Sequence, residues 1–499
     1  MPAENNRRIH SSSIDRNEIS AENGQSADLV QNDIFTPEEA INFVGIGHFQ
    51  VKLTLLSGFV WMARGFEAVV IKYVGNLVAC SWNIARWHNA LITTVTCLSS
   101  MLGCFLYGIW SDKYGRRTAL SSSLIFLVVF GAVSSGLPSY TWYIVFRAVG
   151  AFAIGGLPQA LTLCCEYVPG RQRGRAIFIL SFFWALGVVI LLSFLYFTLE
   201  TSENWRLFLA FASLPAAIAM VMMRWFPESF RYLLVSEQYV AAGHTLAEMA
   251  LTNRKDLPRG SLNPLVDRKR RGRPGLLFTE GQLKSTLLFM YMGVATGVAY
   301  YGLDMMTPHL TRYGTQNITD MNYTTDNFLS DKFLPISCLK GMETTEFIEI
   351  LWTNALDFPG FLIFFILVDV IDRKILLSAS CLLCSLFTFL LLLPTSDPIM
   401  PIAFFFCART LLISQFDMLL LMTAEAFPTT QRGLSVGLET ATYYLGQLIS
   451  SYAVQGLLIN NFILPVSFIG ILMFFSAVSS ACLTWETRGL ELQDVLKFK

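Results

Sequence analysis

The chain has 499 residues, with 36 Lys or Arg balanced by 36 Asp or Glu, so its formal net charge is zero. Hydrophobic residues make up 54% and charged residues 14%, against about 25% charged in a soluble globular protein. This sets aside a soluble domain and a basic nucleic-acid binder, and it points to a bilayer.

Residues 1–50 read as a cytosolic disordered tail: they are polar, rich in Ser, Asn and Glu, and lack the apolar core of a signal peptide. Twelve apolar runs follow, centred near residues 62, 99, 127, 154, 186, 216, 294, 358, 383, 411, 446 and 473. A helix of about 20 apolar residues crosses a bilayer. The expected fold is therefore an all-α polytopic membrane protein with twelve transmembrane helices in two six-helix bundles. The bundles should span 51–226 and 283–484, with a central loop at 227–282 and a short tail at 485–499.

Charges inside spans are costly and mark candidate sites. In span 1, Arg64 and Glu67 are three residues apart and share a helical face; they form either an intrahelical pair or a substrate or coupling site. Span 2 ends in Gly108-Ile-Trp-Ser-Asp112-Lys-Tyr-Gly115-Arg116-Arg117. Span 4 opens with Arg147, either a structural pair near the membrane edge or a substrate contact. Its Gly150, Gly155 and Gly156 suit close helix packing. It ends in Glu166-x-x-Pro169-x-x-Gln172-Arg173-Gly174. A carboxylate at a helix C-terminus needs a cation, and Arg116 or Arg117 can supply it.

Span 7 carries Tyr300, Tyr301 and Asp304, which suit an organic cation as well as an interfacial aromatic belt. The loop 307–346 holds the only two N-x-S/T sequons, at Asn317 and Asn322. Span 8 contains Asp357 ahead of Pro359-Gly360, a pattern for a broken helix, and ends in Asp369-Val-Ile-Asp372-Arg373-Lys374. Arg409 and Asp417 lie in span 10, and Glu439 in span 11. Glu425-x-x-Pro428-x-x-Gln431-Arg432-Gly433 follows span 10 and repeats the motif of Glu166 exactly 259 residues on.

Further echoes share nearly that offset. Asp112 matches Asp369 and Arg116 matches Arg373, each 257 apart; Glu228 matches Glu486 at 258, and Arg147 matches Arg409 at 262. The chain is thus two related halves. Lys and Arg of the loops 111–117, 168–175, 227–282 and 373–374 fall on one face, which the positive-inside rule makes cytosolic. Both termini belong to that face. The sequons fall on the other, so glycosylation there is consistent with the charge rule. Asp112, Gly115, Arg116, Arg117, Glu166, Arg173, Asp369, Arg373, Lys374, Glu425 and Arg432 then form a candidate cytosolic gate. The second half, with Asp372 in place of a Gly, reads as the weaker one.

The ten Cys lie mostly in apolar runs, and Cys381-x-x-Cys384 reads as two buried thiols. Cys80 and Cys338 fall in loops and could pair. No Walker A string, His cluster or catalytic constellation occurs, so neither an enzyme nor a cofactor is expected.

The G-x-x-x-D-x-x-G-R-R, E-x-x-P-x-x-x-R-G and Pro227-Glu228-Ser229 strings resemble the major facilitator superfamily over residues 45–490. Gly45-Ile-Gly-His-Phe-Gln50, Trp61-Met-Ala, Ile154-Gly-Gly-Leu-Pro-Gln159, Tyr300-Tyr-Gly-Leu303, Leu351-Trp-Thr and Phe358-Pro-Gly360 look like the synaptic-vesicle-two-related branch, near the organic-ion and sugar carriers. The resemblance implies alternating access in a vesicle or plasma membrane, with a small organic ion or polar metabolite as substrate and a co-transported ion. The lipid bilayer is the other partner, and the chain is read as a monomer. Related proteins carry an acid where Arg64 stands, which removes a proton- or cation-binding group. The alternative is a carrier-shaped adaptor that no longer transports.

Overall fold

The computed structural model describes residues 34–82, 84, 86–201, 204–262, 271–279, 281–320, 344–393, 399–460 and 462–492. Among the described residues, eleven helices are long and apolar enough to cross a membrane. They are His48–Gly75, Trp87–Tyr114, Arg116–Ser135, Tyr140–Tyr167, Arg173–Thr198 and Trp205–Trp225 in the first half. The second half supplies Leu283–Thr307, Ile350–Leu367, Arg373–Leu390, Ile399–Ala426 and Ile463–Ala481. The twelfth, span 11, is the 29-residue helix Arg432–Asn460. Its Glu439, Thr440, Thr442, Gln447 and Ser450 lower its hydropathy, yet all are buried. The helix packs on spans 2 and 7, so it faces protein rather than lipid, and its polar residues avoid the hydrocarbon.

The halves meet along two equivalent seams, span 2 against span 11 and span 5 against span 8. Glycine makes the first possible. A Cβ on Gly108 would lie 2.8 Å from the Gly433 carbonyl oxygen, and one on Gly437 would lie 2.3 Å from that of Cys104. Span 4 is interrupted between Tyr140–Ile154 and Gln159–Tyr167. There a Cβ on Gly155 would reach within 2.1 Å of the Cys104 amide nitrogen, as expected for small-residue packing. Span 8 is broken at Leu356, between Thr344–Ala355 and Asp357–Leu367. Pro359 in the first turn cannot donate to the preceding turn, which explains the break.

Three expectations are corrected. The tail is ordered from residue 34: β1 (Ile34–Phe35) pairs in parallel with β2 (Ser261–Leu262), and the helix Pro37–Val44 has a Thr36–Glu39 capping box. Ala40, Ile41 and Val44 are buried, an apolar face too short to raise the hydropathy of a polar segment. The central segment is not all loop, since it holds the helices Phe230–Val235 and Tyr239–Thr252. Leu246, Met249 and Ala250 are buried at helical spacing on the second of these. Finally, the span 7 helix runs on to Asp320, well into the expected loop 307–346. Asn322, residues 321–343 and Cys338 lie outside the described residues, as do the side chains of Asn317 and Cys80.

Candidate functional site

The two copies of the Glu-x-x-Pro-x-x-Gln-Arg-Gly motif clasp each other across the seam. Glu166 pairs with Arg116 of its own half at 3.3 Å and with Arg432 of the other half at 2.8 Å. Glu425 pairs with Arg373 of its own half, and with Arg173 of the other at 3.1 Å. Each motif therefore offers its Glu to the other's Arg. All six residues are almost completely buried, where ion pairs survive only if hydrogen bonds satisfy their remaining groups. Arg116 meets this by donating to the Thr429 carbonyl at 2.7 Å, Arg173 to that of Cys165 at 3.1 Å, and Arg432 to that of Ala424 at 2.7 Å.

The aspartates complete the clasp by the same symmetry. Asp112 accepts hydrogen bonds from the Gly433 and Leu434 amides at 2.9 and 2.8 Å, so it caps the N-terminus of span 11, where the helix dipole favours an anion. Asp369 accepts one from the Arg175 amide at 3.2 Å and caps span 5. The glycine ending each motif is required by this approach: a Cβ on Gly174 would lie 2.6 Å from an Asp369 oxygen, and one on Gly433 would lie 2.8 Å from an Asp112 oxygen.

A second pair of caps braces the clasp. Glu228 accepts from the Arg116 and Arg117 amides at 2.9 and 3.2 Å, and Glu486 accepts from those of Arg373 and Lys374 at 3.0 and 3.1 Å. Burial pushes the Glu228 carboxyl above its ordinary value, opposed by these amides and the Arg116 charge. Gly115, at φ +108°, leaves room for Glu228, whose oxygen would be 2.5 Å from a Cβ there. In the second half Asp372 adopts φ −60° instead and pairs with Arg488 at 3.3 Å. The missing glycine thus changes the turn and spares the ion pairs of the second half, while Asp369 caps with one amide where Asp112 caps with two. Arg117 and Lys374 stand aside with their side chains, donating to the carbonyls of Met223 at 3.2 Å and Leu483 at 2.7 Å.

One member went unread in the sequence. Glu38, buried on the short helix Pro37–Val44, pairs with Arg173 at 3.4 Å and also with Arg231. The N-terminal segment thus plugs into the clasp from below; only the Thr36 capping box hinted at order there. Glu38→Gln is expected to release this segment, which limited proteolysis of folded protein would register as faster cleavage near residues 34–44.

The mid-membrane charges sort differently from their spacing. Glu67 does not pair with Arg64: it holds Arg147 of span 4 at 2.5 Å, with both side chains buried. A separation of three places side chains about 60° apart around a helix, enough here to send them to different neighbours. The Arg64 guanidinium lies over the rings of Trp61 at 5.0 Å and Phe416 at 4.9 Å. It lines a small cavity of about 20 Å³ between spans 1, 5, 7, 10 and 11, together with Trp184, Tyr301, Asp417, Tyr443 and Tyr444. Asp417 accepts a hydrogen bond from Ser181 of span 5.

Towards the face opposite the central segment, Asp304 pairs with Lys72 of span 1 at 2.9 Å and with Arg409 at 2.8 Å. Lys72 lies 5.0 and 5.6 Å from the centres of the Tyr300 and Tyr301 rings. The cation over these rings is therefore the protein's own. Lys72 was missed because a single Lys towards the end of a span reads as a snorkelling side chain. Arg409 also donates to the Thr353 carbonyl at 3.1 Å, and Tyr300 donates to Asp357 at 3.4 Å. Both oxygens of Glu439 are buried without a hydrogen-bond partner among the described residues.

Comparison with known proteins agrees with this architecture. The family described as "Sugar (and other) transporter" matches residues 55–497. A synaptic vesicle 2-related protein of Xenopus laevis is 31% identical over 465 residues, covering 93% of this chain and 83% of that protein. Organic cation/carnitine transporter 7 of Arabidopsis thaliana is 25% identical, covering 93% and 97%. Among solved structures, the proton:xylose symporter XylE bound to 6-bromo-6-deoxy-D-glucose superposes with a TM-score of 0.68 at 15% identity, over 89% of this chain and 98% of that one.

Proposed function

We propose, from the premise that this chain belongs to the sugar (and other) transporter family of the major facilitator superfamily and is a multi-pass membrane transporter, that it works as a secondary carrier by alternating access. Its substrate is a small organic ion or polar metabolite held in the cavity between the halves, and its energy comes from gradients of substrate or of a co-transported ion. The observation that carries this reading is the reciprocal clasp. Glu166–Arg432 and Glu425–Arg173 are ion pairs between the halves, so they must break when the halves part on that face.

The loop charges make the clasped face cytosolic, with both termini on that side. The opposite face is bridged by Lys72–Asp304 and by a hydrogen bond between Thr94 and Tyr452. Two separable sets of bridges, one above and one below an enclosed cavity, are what a two-state carrier requires. The names of relatives, an organic cation/carnitine transporter and a proton:xylose symporter, support a carrier of small polar molecules. The synaptic vesicle 2-related relatives support a vesicle membrane as its place. Against the adaptor alternative, the Glu425 ion pairs of the second half form despite Asp372.

The test is uptake into proteoliposomes of a panel of organic cations, anions, zwitterions and sugars, with and without a pH gradient. Saturable uptake of one class is expected. Folded protein that moves none of them would overturn the carrier reading.

A further inference from the structure

A larger cavity, of about 510 Å³, lies away from the seam. It sits where spans 1, 3 and 6 leave the membrane on the clasp side, and the helix Tyr239–Thr252 forms its far wall. Small-ligand pockets commonly measure about 300–1,000 Å³. Three cations line it from three different spans: Lys52 of span 1, Arg117 of span 3 and Arg224 of span 6. None of them meets a carboxylate within 4.0 Å among the described residues, whereas Arg116, Arg173, Arg373 and Arg432 of the clasp all do.

The two carboxylates of the cavity leave one positive charge over. Glu228 is committed to backbone, accepting from the amides of Arg116, Arg117 and Ser229 at 2.9, 3.2 and 2.9 Å. Glu248 lines the cavity from the far wall, one turn on from His244. Three cations against these two carboxylates leave a net charge of +1 with His244 neutral, the balance of one phosphodiester. The cavity also borders the lipid. Trp225 is 44% exposed and carries the Arg224 guanidinium over its ring at 4.0 Å, and an indole beside an arginine suits the membrane–water interface. One turn further into the bilayer, Val221 of span 6 and Leu55 of span 1 stand exposed. Apolar surface therefore continues from the lining of the cavity down the outside of the bundle.

We propose that this cavity binds the headgroup of a singly anionic glycerophospholipid from the leaflet on the clasp side. The phosphate lies among Lys52, Arg117 and Arg224, where charge-assisted hydrogen bonds are strongest. Glu248 accepts from a hydroxyl or ammonium of the headgroup, which phosphatidylglycerol, phosphatidylinositol and phosphatidylserine each supply. The acyl chains pass over Trp225 and along Val221 and Leu55. A soluble phosphate gains nothing from that apolar surface, and a polyphosphorylated headgroup brings more negative charge than the cavity neutralises. The site needs only the bilayer and stands independently of the carrier reading.

The test titrates full-length protein in detergent with defined lipids and reads the bound species by native mass spectrometry. At least one of phosphatidylglycerol, phosphatidylinositol and phosphatidylserine is expected to bind about tenfold or more tightly than phosphatidylcholine, the gain of one charged hydrogen-bonded contact. Phosphatidic acid, which lacks the headgroup donors, should bind more weakly than that lipid, and Glu248→Gln should remove this difference. Soluble glycerol 1-phosphate should bind about tenfold or more weakly. The double variant Lys52→Gln, Arg224→Gln should erase the preference over phosphatidylcholine, and Lys52→Arg, Arg224→Lys should keep it, which separates lost charge from lost folding. Arg171→Gln, at an exposed cation outside the cavity lining, should change nothing. The proposal is overturned if phosphatidylcholine, phosphatidic acid, glycerol 1-phosphate or phosphatidylinositol 4,5-bisphosphate binds wild type as tightly as the singly anionic lipids. It also fails if the Gln double variant keeps the wild-type order, if Arg171→Gln weakens binding as much as that variant, or if Glu248→Gln leaves phosphatidic acid disfavoured.

Discussion

Glu166→Gln opens the central-segment face. The substitution removes the anion shared by Arg116 and Arg432; Arg432 is left buried beside a neutral amide, while Arg116 keeps only Asp112 at 3.5 Å. Breaking a buried pair by removing one partner costs roughly 3–5 kcal/mol. Only the closed state bears that cost, because parting the halves exposes these groups to water. A difference of about 5.5 kcal/mol takes a 1:99 equilibrium to 99:1, so a loss of this size is enough to change the dominant conformation. Cys165 reports it, being buried one residue from Glu166 with its carbonyl accepting from Arg173. In a background that retains Cys165 as its sole cysteine, labelling by a maleimide added on the central-segment side should rise by about one hundredfold or more, the equivalent of roughly 3 kcal/mol. Glu425→Gln should behave alike, since the motif is used reciprocally. Unchanged labelling in both variants would rule out the clasp as a gate.

Glu67→Gln acts on folding rather than on gating. The pair it forms with Arg147 joins spans 1 and 4 within the first half, so it need not break as the halves move against each other. Removing the carboxylate strands a guanidinium that is 2% exposed in the middle of the first bundle. The expected loss is roughly 3–5 kcal/mol, a large part of the stability of a protein whose total is only about 5–15 kcal/mol. Monodisperse protein recovered in detergent should fall sharply, with a lowered Tm. The double variant Glu67→Gln, Arg147→Gln removes both charges and should recover much of the loss. A single variant with wild-type yield and Tm that has lost uptake would instead make Glu67 a substrate or coupling residue.

These two carboxylates mark the limit of what could be read from the chain. Glu166 was legible because it recurs: a repeat reports that a position matters twice, and the topology places both copies on one face. The same logic found Asp112 with Asp369 and Glu228 with Glu486, and the structure gives each pair an equivalent cap. Spacing alone failed at Arg64 and Glu67. Proximity along a helix specifies a shared face, whereas partner choice depends on what the neighbouring helices present. Span 4 presents Arg147 to Glu67, and span 10 presents Phe416 to Arg64. Lys72 and Glu38 left weaker traces still. One stands in a run apolar enough to absorb a single charge, and the other in a segment whose polar composition hides its three buried apolar residues.

By itself, then, the sequence determined the number of spans, their grouping into two related halves, and the face on which the repeated charges lie. These follow from hydropathy, length and repetition, which are properties of the chain taken locally or compared with itself. Only the tertiary structure decided that the repeated motifs cross over to clasp each other, that Glu67 pairs with Arg147 of span 4, and that Arg64 and Asp417 line one cavity. Those outcomes depend on which helices touch. The partner a buried charge meets is set by what the neighbouring helices present as well as by spacing along its own helix.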